Sequence, residues 1–166
     1  MQLSDPSTFK NYEGGIHDVM SDNICFPAKL VHGHINNLIR KRVNRIFMPY
    51  VIYERQDDSR QLNSYNCPVV SGYSDVIKST VNTDIPIDSP PINFQDLNLL
   101  KKQIRKYLSY IGFDRFTADK ALKAALKAQD EYGKAIKAKN EEILADSRKN
   151  HQLTILLAAG PTIRTR

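Results

Sequence analysis

Residues 21–49 read SDNICFPAKLVHGHINNLIRKRVNRIFMP, and this stretch decides the fold class because its apolar period changes once along its length. Ser21, Asp22 and Asn23 are helix-start residues, and Pro27 suits a first helical turn, where its absent N–H costs nothing. A helix is expected from there to about Arg42. Val31, Ile35, Leu38 and Ile39 fall near one face at helical spacing, while Lys29, Asn36, Arg40 and Lys41 lie mostly elsewhere, so one side packs on a sheet. Arg45-Ile46-Phe47-Met48 is a short apolar run of the kind found in a strand buried on both faces. Pro49, unable to donate to a ladder, is expected to end it. Helix followed by buried strand predicts an α/β fold: a small three-layer, parallel-sheet unit of Rossmann-like kind.

Downstream, Tyr50 to Asn66 mixes few apolar residues with Arg55, Gln56, Asp57, Asp58, Ser59 and Arg60, and is read as a long surface loop. Cys67-Pro68 opens a second helix whose Val69, Tyr73, Val76, Ile77 and Thr80 recur at spacings of three and four, ending near Thr80. Pro86, Pro90 and Pro91 make residues 84–91 an extended linker and the main domain boundary. Beyond it, Asn93 is placed as a cap with Asp96 three residues on. Phe94, Leu97, Leu100, Ile104, Leu108 and Ile111 form a stripe, and Gly112 supplies a left-handed stop. Thr117 is the expected cap of the next helix. Ala118, Leu122, Ala125, Gln129, Tyr132, Ile136, Lys139 and Ile143 alternate at intervals of four and three, as in a packed helical hairpin.

Residues 153–158 read as an apolar strand, followed by a tail with neither helical period nor turn logic. Upstream, Leu3-Ser4-Asp5-Pro6-Ser7 reads as a strand end entering a turn, and Gly14-Gly15 as only a turn. The expected organisation is a partial α/β domain over 1–88 carrying both cysteines, a helical hairpin over 89–150, and an orphan strand with a disordered tail over 151–166, the whole truncated at both ends. Such a sheet has a vacant edge, where the orphan strand or another chain could pair, so a homo-oligomer through that edge is one expected partner arrangement.

A chain of 166 residues with 41% hydrophobic content can bury roughly 70% of its unfolded-chain surface. No apolar run is long enough to span a membrane and no basic-then-apolar leader opens the chain, which predicts no membrane partner and a cytoplasmic location. The formal charge of +6 comes from 24 basic and 18 acidic residues that are interspersed. The lysines of the helical stretches, Lys120, Lys123, Lys127, Lys134 and Lys137 among them, are read as a solvated face; an RNA-binding module is the minority alternative, since no aromatic-basic motif accompanies them, and no nucleic acid is expected.

The sharpest chemical feature is that each cysteine precedes a proline opening a helix, in Cys25-Phe26-Pro27 and Cys67-Pro68. A helix N-terminus carries partial positive charge and free N–H groups that favour an anionic ligand such as a thiolate, so both sulfurs are placed as metal ligands would be. Iron–sulfur clusters typically take four such ligands, and parallel sheets present sites at the carboxyl edge of their strands. Two cysteines cannot close a cluster, and buried structural thiols remain an equal alternative from the residues alone. His32 and His34 lie two apart on a helix, pointing about 200° away from one another, and cannot grip one metal together. No phosphate loop, nucleophile elbow, zinc-protease helix or dinucleotide fingerprint occurs. Asp57-Asp58 and Glu141-Glu142 are read as solvated charges, and no catalytic residue is assigned.

Taken together, Leu3-Ser4-Asp5-Pro6-Ser7, the block from Ser21 to His34, Tyr53-Glu54, and Asn66-Cys67-Pro68-Val69-Val70 resemble the acyl-CoA dehydratase activase-related family, the large fused form of the 2-hydroxyglutaryl-CoA dehydratase activator, of which this chain looks like an internal fragment. The resemblance implies that Cys25 and Cys67 bind a four-iron four-sulfur cluster in the intact protein. That cluster would pass a low-potential electron in ATP-driven 2-hydroxyacyl-CoA dehydration, with dehydratase subunits or the remainder of the parent protein as partners. Many members carry a cysteine after the strand-end proline, where this chain has Tyr50. The family's apolar strand also normally continues as Gly-Arg-Pro-Tyr-His-x-Asp-Pro, and the different residues 161–166 are expected to reflect a shifted reading frame. The fragment is expected to be inactive alone; a cofactor-free structural or interaction remnant is the alternative.

Overall fold

The computed structural model describes residues 1–55 and 63–155. The chain divides into two compact units, Met1–Leu97 and Asn98–Arg166. The first is a small α/β unit and the second is helical.

The first unit opens with a short helix, α1 (Phe9–Glu13), and a 310 turn (Ile16–Asp18), followed by α2 (Phe26–Arg40) and the strands β1 (Ile46–Phe47) and β2 (Tyr50–Tyr53). After α3 (Pro68–Thr80) come β3 (Ile87–Asp88) and β4 (Pro91–Asn93). β1 pairs in parallel with β3, and β2 in parallel with β4. Ladder bonds run from Ile46 to Pro86, from Met48 to Asp88 and from Tyr50 to Pro90, each N–H donating to the opposite carbonyl. The four strands therefore read as two longer strands, each pinched at a proline.

This corrects two expectations. β1 stops before Pro49 as expected, but parallel pairing resumes at once in β2: alternate residues of a parallel ladder face the neighbour, and since Met48 and Tyr50 donate inward, Pro49 sits at an outward position where no N–H is needed. Residues 50–53 are consequently strand; 54–55 and 63–66 lie outside helix and strand, with Tyr65 bridging Tyr53, and 56–62 lie outside the described residues. Nor is 84–91 a linker. Pro86 and Pro90 enter the ladder as carbonyl acceptors, a role proline fills fully, and the boundary falls at 97/98 instead.

Packing follows from the helical stripes. Ala28 and Ile35 of α2, Ile46 of β1, Tyr73 and Ile77 of α3 and Val81 form one buried cluster, with Met48, Val69, Val76 and Ile87 against it. Arg45 fixes the start of the ladder, its Nη1 donating to both carboxylate oxygens of Asp88 at 2.7 Å.

Residues 1–8 form no strand. They strap along α2, where Lys41 donates to the Leu3 carbonyl at 3.1 Å and to Asp5 at 2.6 Å, and Asn37 donates to Asp5 at 2.8 Å. Gly33 is what lets α1 approach: a Cβ there would lie 2.0 Å from the Asn11 carbonyl oxygen, and one on Gly15 would lie 2.2 Å from the Gly33 nitrogen. Gly15 is thus a site of backbone contact as well as a turn.

In the second unit α4 (Leu97–Tyr110) turns at Gly112, whose φ of 96° is left-handed as expected, into α5 (Arg115–Lys149). The two are cross-bridged where Arg105 Nε donates to Asp119 at 2.7 Å, with Lys101 3.8 Å from the same carboxylate. The α5 cap is Asp114, which accepts from the N–H groups of Phe116 and Thr117. Thr117, the expected cap, instead donates its hydroxyl to Asp114 at 2.6 Å. Asn93 likewise makes a turn ahead of α4, accepting from Gln95 and Asp96. The chain reverses at His151, and residues 152–155 are irregular. The expected strand is absent from 153–155, and its remainder and the tail lie outside the described residues.

Gly33→Ala tests the close approach. In a free helix the change is favourable by about 1 kcal/mol, but here the methyl meets backbone that cannot swing away, and overpacking costs about 1–3 kcal/mol or more. Urea unfolding should show a net loss of stability; a gain would mean that α1 does not sit on α2.

Candidate functional site

Cys25 and Cys67 are the N-cap residues of α2 and α3, each with proline in the first turn and neither making a side-chain cap bond. Both are exposed and free, which removes the buried-thiol alternative. Their carbonyls carry the first helical turns, Cys25 accepting from Ala28 at 3.0 Å and Cys67 from Val70 at 2.8 Å.

The two helix ends lie at the same side of the fold, for reasons visible in the topology. α2 delivers the chain to β1 and α3 delivers it to β3 through connections of similar length, and β1 and β3 are parallel neighbours. Both helix C-termini therefore sit at the amino edge of the ladder and both N-termini toward its carboxyl edge, where parallel α/β folds place their sites. The helices are tied by His32 Nε2 and the Tyr73 hydroxyl, 2.9 Å apart with the rings edge-on. His32 is seven residues past Cys25 and Tyr73 six past Cys67, about 10 Å of helix in each case.

His32 is fully buried, and its Nδ1 has no partner among the described residues. Burial holds it below its ordinary value of 6.5, opposed by the nearby Asp18 carboxylate. Tyr73 is pushed up, chiefly by its burial.

At the carboxyl end of β2, a register shift between Val51 and Tyr53 turns the chain so that Tyr53 bridges Tyr65. The hydroxyl of Tyr53 donates to that of Tyr65 at 2.6 Å. Asn66 donates its amide to the Val51 carbonyl at 3.1 Å and to Glu54 at 2.9 Å. These bonds seat the residue before Cys67 against the strand, so the motif residues Tyr53, Glu54 and Asn66 act as a scaffold for the second cysteine. Tyr50 opens β2 with its hydroxyl donating to Asp75, a hydrogen bond that pushes the phenol up.

Sequence reasoning missed the cluster around His34. Ser4 Oγ lies 2.9 Å from its Nδ1, Ser7 Oγ 3.0 Å from its Nε2, and the Asn11 side-chain amide 3.0 Å from its Nδ1. The signal was present: Ser4 and Ser7 belong to the same motif segment that carries the resemblance. As the 200° argument anticipated, His32 and His34 face different surroundings.

Both histidines are bases held below 6.5 by burial. The unfolded chain therefore binds more protons just beneath that value, and their contribution to stability is complete above about pH 6.5 and lost as pH falls through the lowered values. Urea unfolding at pH 7.5 and pH 5 should show this decline. Tyr73→Phe should cost about 1–3 kcal/mol at pH 7.5, since it leaves a buried ring with neither nitrogen paired; an unchanged midpoint would remove the His32–Tyr73 bond from the account.

No curated protein and no solved structure matches the chain. A family model described as the CoA enzyme activase uncharacterised domain matches residues 1–161, from the N-terminal strap through both cysteine-capped helices and α5. With nearly its whole length covered, the chain belongs to the CoA enzyme activase uncharacterised domain family.

Proposed function

We propose that this domain is the cluster-holding part of a CoA enzyme activase, with Cys25 and Cys67 supplying two thiolates to an iron–sulfur centre, of the four-iron four-sulfur kind, in the intact protein. A low-potential electron would pass through that centre to a 2-hydroxyacyl-CoA dehydratase, and the chain by itself would be inactive. The observation that supports this reading most directly is that two exposed sulfurs cap neighbouring helices at the same edge of a parallel ladder.

The donor set fits such a centre in kind and meets half of its number. Thiolates are the ligands these clusters take, and helix N-termini favour the negative charge of cluster and ligands together. Among the described residues no group of three or more His, Cys, Asp or Glu gathers as a metal site. The remaining ligands would come from elsewhere in the intact protein or from a dehydratase subunit. The cluster would supply one-electron chemistry at low potential. The chain's own residues orient the two sulfurs through His32 and Tyr73, and seat Cys67 through Asn66, Glu54 and Val51.

The incomplete set also favours a second reading, a cofactor-free interaction domain, and one experiment separates the two. Anaerobic incubation of the full chain with iron and sulfide should develop sulfide-to-iron charge-transfer absorbance, and Cys25→Ser or Cys67→Ser should each remove most of it while leaving the circular dichroism unchanged. A protein that stays colourless, or colour that survives both substitutions, rejects the cluster and leaves the interaction domain.

A further inference from the structure

Helix α5 is 35 residues long and α4 only 14. The cross-bridge to α4 lies at Asp119, near the start of α5, and every residue from 127 to 146 is exposed. This stretch, about 30 Å of helix, nevertheless keeps an apolar stripe: Tyr132 is 54%, Ile136 45% and Ile143 50% exposed. A helix that merely bridges solvent would be polar all round.

The stripe has the three-four spacing of a coiled coil, Ala125, Gln129, Tyr132, Ile136, Lys139 and Ile143, and it is complementary to its own reverse. Set antiparallel about a twofold axis between Tyr132 and Ile136, each Tyr132 meets the other copy's Ile136, Gln129 meets Lys139, and the small Ala125 meets Ile143. The flanking positions nearest the axis are Gly133 and Ala135, with Ala128 and Asn140 next, and the small pair at the axis lets two helix backbones come close. A parallel pairing would instead stack Lys139 on Lys139.

Charge points the same way. Residues 120–127 carry Lys120, Lys123 and Lys127 and no acid, whereas 140–146 carry Glu141, Glu142 and Asp146 and no base. Antiparallel alignment about that axis lays Lys123 and Lys127 of one copy beside the 141–146 carboxylates of the other, with Lys120 opposite Arg148, and opposes the two helix dipoles.

From these features we propose that the exposed half of α5 is a homodimerisation surface, and that its occupant is α5 of a second copy, running antiparallel. This surface is independent of the cysteine edge and does not rest on the cluster reading.

Sedimentation equilibrium of the full chain should show a concentration-dependent dimer. Ile136→Glu should raise its dissociation constant at least about tenfold with helix content unchanged, and Lys139→Leu, which places an apolar residue against Gln129, should lower it. Gly133→Cys, next to the axis, should oxidise to a disulfide that peptide mapping assigns to position 133 of both copies, distinct from bonds through Cys25 or Cys67. If Ile136→Glu loses helix, Lys139→Leu and the mapped bond decide. A monomer at every concentration overturns the proposal and would mean that the stripe is covered from within its own chain. So does a dimer whose constant neither substitution moves, or a dimer lacking the 133–133 bond.

Discussion

A single hydrogen bond between two buried rings, His32 of α2 and Tyr73 of α3, sets the geometry on which the rest of the first unit depends. Its net worth in isolation is about 1 kcal/mol, but it is a directional tie set among apolar contacts, and apolar packing alone would let the helices slide along each other. Its neighbours in sequence do equivalent work on other sides. Gly33 admits the Asn11 carbonyl against α2, and His34 gathers Ser4, Ser7 and Asn11. Three consecutive residues thus join α2 to α3, to α1 and to the N-terminal strap, which is why the His-Gly-His run looks like a metal motif and behaves as a junction.

Much of this was legible from sequence. Both long helices of the first unit lie within two residues of their expected ends, because amphipathic stripes such as Val69, Tyr73, Val76 and Ile77 report a buried face directly. The left-handed residue at Gly112 and the cysteines at helix starts were legible for the same reason: a local conformation demands a particular residue. What could not be read was long-range. Nothing local distinguishes Pro86 and Pro90 in a linker from the same residues accepting bonds in a ladder, and the choice of Asp114 over Thr117 as a cap turns on which side chain reaches back. The His34 cluster needed the strap laid on α2, a contact across about thirty residues of chain.

The candidate site divides in the same way. Its ligand-like residues were identifiable from cysteine–proline adjacency, whereas the side-chain ties behind them, His32 with Tyr73 and Asn66 with Glu54, appear only once helices and strands are assembled. Family membership adds the CoA-linked context. The fold contributes rigidity: each cysteine stands where a helix starts, so its backbone is held by the first helical hydrogen bonds and not by a loop.

The pinched ladder carries one more implication. Since residues 46, 48 and 50 turn inward on one strand and 86, 88 and 90 on the other, Pro49 and Pro91 occupy outward positions on opposite rims. Each deletes a donor from a rim that would otherwise template cross-β growth. The residues that make the chain look least like a β-protein are thus ones its strands accommodate, and a rim short of donors is a poorer template for edge-to-edge pairing.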